Sequence, residues 1–128
     1  MKKKAFGVLT FAALALSLGT TMAPQASAAP AAYTCASGQL CVYENANYTG
    51  SVYIVKDDLS DFNSAALHYT NGNPLQDSIS SVINNTGQCV EFSTDSGFGG
   101  SHQYYTRYSR TAAVAYNDEF SSVDRYNC

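Results

Sequence analysis

After residue 28, apolar and polar positions alternate over short runs separated by clusters of Gly, Asn, Asp and Ser, which predicts strands and tight turns. Leu40-Cys41-Val42-Tyr43-Glu44 predicts a strand, 45–50 a folded hairpin tip, and Ser51-Val52-Tyr53-Ile54-Val55 the returning strand. The polar stretch 56–72 predicts a loop with one helical turn near 59–62, and 80–85 predicts a strand ending at the turn Asn84-Asn85-Thr86-Gly87. The second half retraces the first. Cys89-Val90-Glu91-Phe92 mirrors Cys41-Val42-Tyr43-Glu44, and Gly97-Phe98-Gly99-Gly100 predicts a second tip. That tip should be looser, because Phe92 and Phe98 stand one residue further apart than Tyr43 and Tyr48. Residues 102–105 predict its return strand, 106–110 a basic-aromatic loop, and 112–116 and 121–126 two more strands. Beyond residue 28 no apolar pattern holds a 3.6-residue period over three turns, so the fold class is all-β, a sandwich or barrel.

A short segment occurs twice. Gln76-Asp77-Ser78-Ile79-Ser80-Ser81-Val82 returns as Asn117-Asp118-Glu119-Phe120-Ser121-Ser122-Val123, with its aspartates 41 residues apart, a spacing typical of duplicated supersecondary units. Each copy offers a carboxylate and two hydroxyls, hard oxygen donors that suit Ca²⁺ better than zinc or copper. One copy cannot encircle an ion that takes about six to eight oxygens, so carbonyls, water and the partner copy must contribute. The competing explanation is structural: Asp and Ser cap a turn while Ile79, Val82, Phe120 and Val123 enter the core.

Residues 1–28 predict a secretory signal: basic Lys2, Lys3 and Lys4, an apolar stretch over 5–18 too short to span a bilayer, and the cleavage site Ala26-Ser27-Ala28. Residues 29–128 then form one domain. Cleavage leaves Lys56, Arg107, Arg110 and Arg125 against ten carboxylates, a net charge of about −6, which disfavours nucleic acid and anionic membranes as partners. The four cysteines lie in the exported part, where disulfides are the default. They admit three pairings; Cys35 with Cys41 and Cys89 with Cys128 is preferred, the latter closing a loop of about 40 residues worth roughly 4 kcal/mol of chain entropy. With no C-x-x-C and only His68 and His102, structural zinc is disfavoured.

No enzyme constellation is present: there is no H-E-x-x-H, no G-x-S-x-G and no phosphate-binding glycine loop followed by Lys. The motifs do resemble those of the βγ-crystallins. Tyr43, Tyr48 and Gly50 match the start of a Greek-key motif, and Asn117-Asp118-Glu119-Phe120-Ser121-Ser122 matches the later Asn/Asp-Asn/Asp-x-x-Ser/Thr-Ser signature in full, whereas Gln76 departs from it in the first copy. The resemblance spans about residues 40–127 and implies a sandwich of two intertwined Greek-key motifs, at about 35–86 and 87–128. The opening Cys35-Ala36-Ser37-Gly38-Gln39-Leu40-Cys41-Val42-Tyr43 resembles the secreted bacterial metalloproteinase-inhibitor family.

That likeness implies two Ca²⁺ sites with side-chain oxygens from Asp77, Ser80, Asp118 and Ser121 and carbonyls of Ser78 and Glu119. It also implies a non-catalytic, monomeric inhibitor of an extracellular protease. The family's short disulfide-closed reactive loop has no counterpart, because Cys89 has no nearby cysteine; loops 106–110 and 65–74 are the candidates instead. The alternative function is a Ca²⁺-stabilised extracellular structural, carbohydrate- or wall-binding, or antimicrobial module.

Overall fold

The structure, a computed structural model, describes residues 32–64 and 66–128; the predicted signal segment lies outside the described residues. Strand β1 (Leu40–Asn45) turns through a short 3₁₀ turn at Ala46–Tyr48 into β2 (Thr49–Val55), and β3 (Ser81–Asn84) pairs with the other edge of β1. Strand β4 (Cys89–Asp95) pairs with β5 (Gly99–Tyr105) on one side and β7 (Ser122–Tyr126) on the other. The short β6 (Ser109–Thr111) crosses over to pair with β3. The two antiparallel sheets therefore run β2-β1-β3-β6 and β5-β4-β7.

The crossover is reciprocal, which makes the halves intertwined. The second half lends β6 to the first sheet, and the first half lends Leu59 to the second, where Leu59 and Val123 exchange both backbone hydrogen bonds at 2.9 Å. The helical turn expected near 59–62 is thus replaced by a strand bridge. Part of the expected loop 106–110 is strand β6, and the expected strand 112–116 is bends and turns in which only Val114 is buried. In each case the partner, not the local pattern, decides: polar Ser109, Arg110 and Thr111 are extended because Asn84, Ile83 and Val82 offer them a free edge.

The hairpin registers correct the expected alignment of the halves. Tyr43 pairs with Val52 and Asn45 with Thr49 across a bulge; Ser93 pairs with His102 and Asp95 with Gly99 across an equivalent bulge. Ser93, not Phe92, therefore occupies the place of Tyr43, and the second tip is no looser than the first. In both tips the aromatic is left-handed, Tyr48 and Phe98 each at φ 60°, with a glycine at φ 75° two residues on.

Leu40 and Val42 match Val90 and Phe92 as inward positions, and all four are wholly buried in the main core with Val82, Val123 and the aromatic rings of Phe62 and Phe120. Phe92 lies 5.1 Å from Phe120 and 5.6 Å from Tyr105 between ring centroids. On the outer face of the first sheet, Cys41, Tyr43 and Val52 form a second buried cluster roofed by the segment before β1, where Cys35 bonds to Cys41 and the Tyr43 hydroxyl donates to the Tyr33 carbonyl at 2.9 Å. The Cys89–Cys128 disulfide ties the chain end to the start of β4 across a Cα separation of 5.7 Å.

Candidate functional site

The two acidic-serine segments meet across the pseudo-twofold relation of the halves. Asp77 and Asp118 are both left-handed, φ 50° and 57°, a conformation Asp tolerates better than most residues. The Asp77 amide donates to the Phe120 carbonyl at 3.2 Å, and the Asp118 amide to the Ile79 carbonyl at 3.3 Å. Side chains cross in the same way: Ser121 Oγ donates to Asp77 Oδ1 at 3.4 Å and Ser80 Oγ to Asp118 Oδ1 at 3.3 Å. Each aspartate therefore joins the serine of the other copy. Both serines are buried while both aspartates are exposed, so each pair sits at the floor of a surface site.

Ser78 and Glu119 enter differently. The Ser78 carbonyl accepts the Tyr69 hydroxyl at 3.1 Å, which leaves it one lone pair, and the Glu119 amide donates to the Tyr116 carbonyl at 3.3 Å. Burial drives the Tyr69 hydroxyl well above its ordinary pKa, with the Ser78 hydrogen bond opposing the shift, so it stays a proton donor.

Around Asp77 and Ser121 lies a polar cleft of about 360 Å³ that also takes Asp61, Asn63, Gln76 and Ser96. The sequence marks Asp61 only as a loop acid, and nothing in it marks Asn63 or Ser96. Gln76 occupies the place where the second copy has Asn117. Its Nε2 donates to Asp77 Oδ1 at 2.8 Å and to Ser121 Oγ at 2.6 Å, while its Oε1 is buried with no partner. In the second copy the Asn117 amide donates only to its neighbour Asp118, at 2.8 Å. The donor set is all oxygen apart from these amides, and the unpartnered Gln76 oxygen would be satisfied by a cation, so the residues fit a hard divalent ion. Among the described residues no group of three or more His, Cys, Asp and Glu side chains converges.

The serine that follows Ser80 and the one that follows Ser121 have a structural task the sequence does not reveal. Ser81 and Ser122 are wholly buried. Ser81 Oγ donates to the Asn45 carbonyl at 2.6 Å and accepts the Tyr48 amide at 3.0 Å; Ser122 Oγ donates to the Asp95 carbonyl at 2.7 Å and accepts the Phe98 amide at 3.2 Å. Each acidic-serine segment thus clamps a hairpin tip.

One Ser-His-carboxylate cluster does form, on the outer face of the second sheet. Glu91 Oε1 and Ser93 Oγ lie 2.5 and 3.0 Å from the same His102 nitrogen, Nδ1. A relay needs base and orienter on opposite nitrogens, and Ser93 is wholly buried, so the cluster is not built to attack a substrate.

Both candidate loops are braced. The hairpin over 67–75 is closed by Leu75 amide to Leu67 carbonyl and Tyr69 amide to Asn73 carbonyl, both 2.9 Å, and its tip is held by Asn71 and Asn73 on the Glu44 carboxylate. Ala65, at the edge of the expected 65–74 loop, lies outside the described residues. The turn over 106–109 is held by wholly buried Asn84, whose Nδ2 donates to the carbonyls of Thr106 at 2.9 Å and Gln88 at 2.8 Å.

A structure bearing on the evolution of the eye-lens βγ-crystallin domain fold is similar over 80% of this chain and 94% of its own, with 23% identity and a TM-score of 0.62. A βγ-crystallin from Ciona intestinalis is similar over 70% of this chain and 100% of its own (22% identity, TM-score 0.57), and a βγ-crystallin domain from Clostridium beijerinckii over 69% and 97% (20% identity, TM-score 0.55). Identities this low establish the fold, an all-β crystallin-like sandwich, and nothing further. No curated protein sequence matches the chain. The family model of peptidase inhibitor family I36 matches residues 28–105, a span that runs from before the Cys35–Cys41 clip to the end of β5. On that match the chain belongs to peptidase inhibitor family I36, a family of inhibitors and not of enzymes.

Proposed function

We propose that the protein is a secreted inhibitor of an extracellular peptidase, acting as a monomer, with bound Ca²⁺ stabilising its two halves against each other. The family match over residues 28–105 carries this reading. The signal-like N-terminus and two disulfides support an extracellular location, and among the described residues no helix is long and apolar enough to cross a membrane. Inhibition needs exposed backbone that stays ordered when a protease grips it, because ordering a floppy loop on binding would subtract from affinity. Crossed strands, disulfides and braced loops supply that rigidity.

Asp77, Ser121, Gln76 and the Ser78 carbonyl would hold one ion, and Asp118, Ser80 and the Glu119 carbonyl the other. When bound, Ca²⁺ would neutralise the aspartates and link segments from both halves. The test is inhibition by the purified protein of a panel of extracellular proteases, a thermolysin-type metalloprotease first, then serine and cysteine proteases. Inhibition of at least one at micromolar excess is expected. Full activity of every one would overturn the inhibitor function and leave the Ca²⁺-stabilised extracellular module.

A further inference from the structure

Five large apolar side chains stand exposed among the described residues, and three of them gather at one end of the second sheet: Tyr104 at 61%, Tyr108 at 68% and Tyr126 at 37%. Register places them together. Tyr104 pairs with Glu91 and Tyr126 with Cys89, on the two flanks of β4, and Tyr108 follows β5 in the turn that leads to β6. Tyrosine and arginine are enriched among interface anchors: Tyr gives large, rigid contact area at low entropic cost, and Arg gives several charge-assisted hydrogen bonds.

Tyr108 is held in place although it is exposed. It sits at φ 54°, its amide donates to the Thr86 carbonyl at 3.3 Å, and its hydroxyl lies against Gly87, where an added Cβ would stand 3.3 Å away. Ser109 Oγ closes the turn onto the Thr106 carbonyl at 2.6 Å, Asn84 grips it from beneath, and Arg107 donates to the Cys128 carbonyl at 3.0 Å beside the disulfide. The result is a braced turn with an exposed aromatic side chain, suited to enter a cleft. Its charge selects further: Arg107 is one of the four Lys and Arg among the described residues of a net acidic chain, whereas Arg110 lies over the Tyr48 ring of the first tip, 5.9 Å from its centroid. The 67–75 hairpin is equally braced, but its tip is Thr70, Asn71, Gly72 and Asn73, which offer no anchor side chain.

We infer that the peptidase-facing element is the turn over 106–109, which seats Tyr108 in an aromatic-accepting pocket next to carboxylates in the peptidase's cleft. This rests on the inhibitor function proposed above. The inhibition constant of wild type, Tyr108→Ala, Arg107→Ala and Asn71→Ala is measured against every panel protease that wild type inhibits, at low and high salt, with melting temperatures as a fold control. Tyr108→Ala is expected to weaken inhibition by about 30-fold or more with an unchanged melting temperature, the loss typical of an anchor side chain. Arg107→Ala should weaken it less and flatten its salt dependence. Asn71→Ala should inhibit like wild type. If Tyr108→Ala inhibits as wild type does, the turn is not the contact although the inhibitor function stands. If wild type binds no protease at all, both proposals fall.

Discussion

Replacing Ser122 by Ala isolates the clamp that the second segment puts on its hairpin tip. Ser122 is wholly buried and Ala is only one oxygen smaller, so the cavity term is small and the loss is that of hydrogen bonds. Two bonds go: the donation to the Asp95 carbonyl at 2.7 Å and the acceptance of the Phe98 amide at 3.2 Å. At about 0.5–1.5 kcal/mol net for each, the expected loss is about 1–3 kcal/mol, towards the lower end because Asp95 and Phe98 are exposed and water can reach the freed groups. Ser81→Ala should cost a similar amount at the first tip. The two tips share no hydrogen bond, so the double variant should lose the sum. Urea unfolding followed by circular dichroism gives each loss as a shift in midpoint at constant slope. Amide exchange localises it: Phe98 should exchange faster in Ser122→Ala and Tyr48 in Ser81→Ala, each with the other amide unchanged. A loss below about 0.3 kcal/mol with Phe98 exchange unaltered would mean that the backbone bridge of Asp95 to Gly99 alone holds the tip, and the clamp would be refuted.

Gly100→Ala should cost about 2–3 kcal/mol in the same assay, because the residue sits at φ 75° and an added Cβ would press on Thr94 Oγ1 and stand 2.8 Å from Asp95 Cγ. Millimolar Ca²⁺ should raise the melting temperature relative to chelator, with Mg²⁺ as the control. An affinity of about 10⁻⁴ to 10⁻³ M gives roughly 0.5–1.5 kcal/mol per site, and an unchanged melting temperature with no calorimetric heat would leave both segments as turn and core structure alone. Asp118→Ala should remove more of that gain than Asp77→Ala, and Gln76→Asp should tighten binding at the first site in calorimetry, because it puts a carboxylate in place of the amide that donates to Asp77 and Ser121. Tyr105→Phe should leave stability unchanged or raise it by about 1 kcal/mol, since it deletes a buried hydroxyl with no partner, whereas Tyr69→Phe should lose about 1 kcal/mol with its bond to the Ser78 carbonyl. Burial raises both hydroxyls above the ordinary value of 10.0; unfolded chains therefore ionise first, so the contribution of these two groups should be level below about pH 10 and stability should fall above it, less steeply in Tyr105→Phe, as pH-jump unfolding can measure.

The strands that read clearly in the sequence are those whose own alternation faces a core. Leu40 and Val42 point inward whatever their neighbours do, and the same holds for Val90 and Phe92. Register does not read in this way. Counting from aromatic to aromatic aligns Phe92 with Tyr43, but the bulges at both tips align Ser93 with Tyr43, and a one-residue slip exchanges the two faces of a strand. That substitution has a physical consequence. Tyr43 meets Tyr48 edge-on at 6.0 Å and closes the outer face of the first sheet, whereas Ser93 leaves Phe98 without that partner and is itself covered by His102, 3.0 Å away.

The acidic-serine segments are legible as a repeat because their chemistry lies within seven residues, and the shortage of oxygens in one copy already calls for the other; which serine meets which aspartate is not legible, since it depends on how the halves fold against each other. Alternation along the extended chain explains why the serines differ in duty. Ser80 and Ser121 turn to the opposite half's aspartate, while Ser81 and Ser122, one step along the strand and on its other face, turn to a hairpin tip. A change at either segment must therefore act on both halves at once, on the site through one serine and on its own hairpin through the next. An isolated half would contain every residue of one segment and still complete neither site.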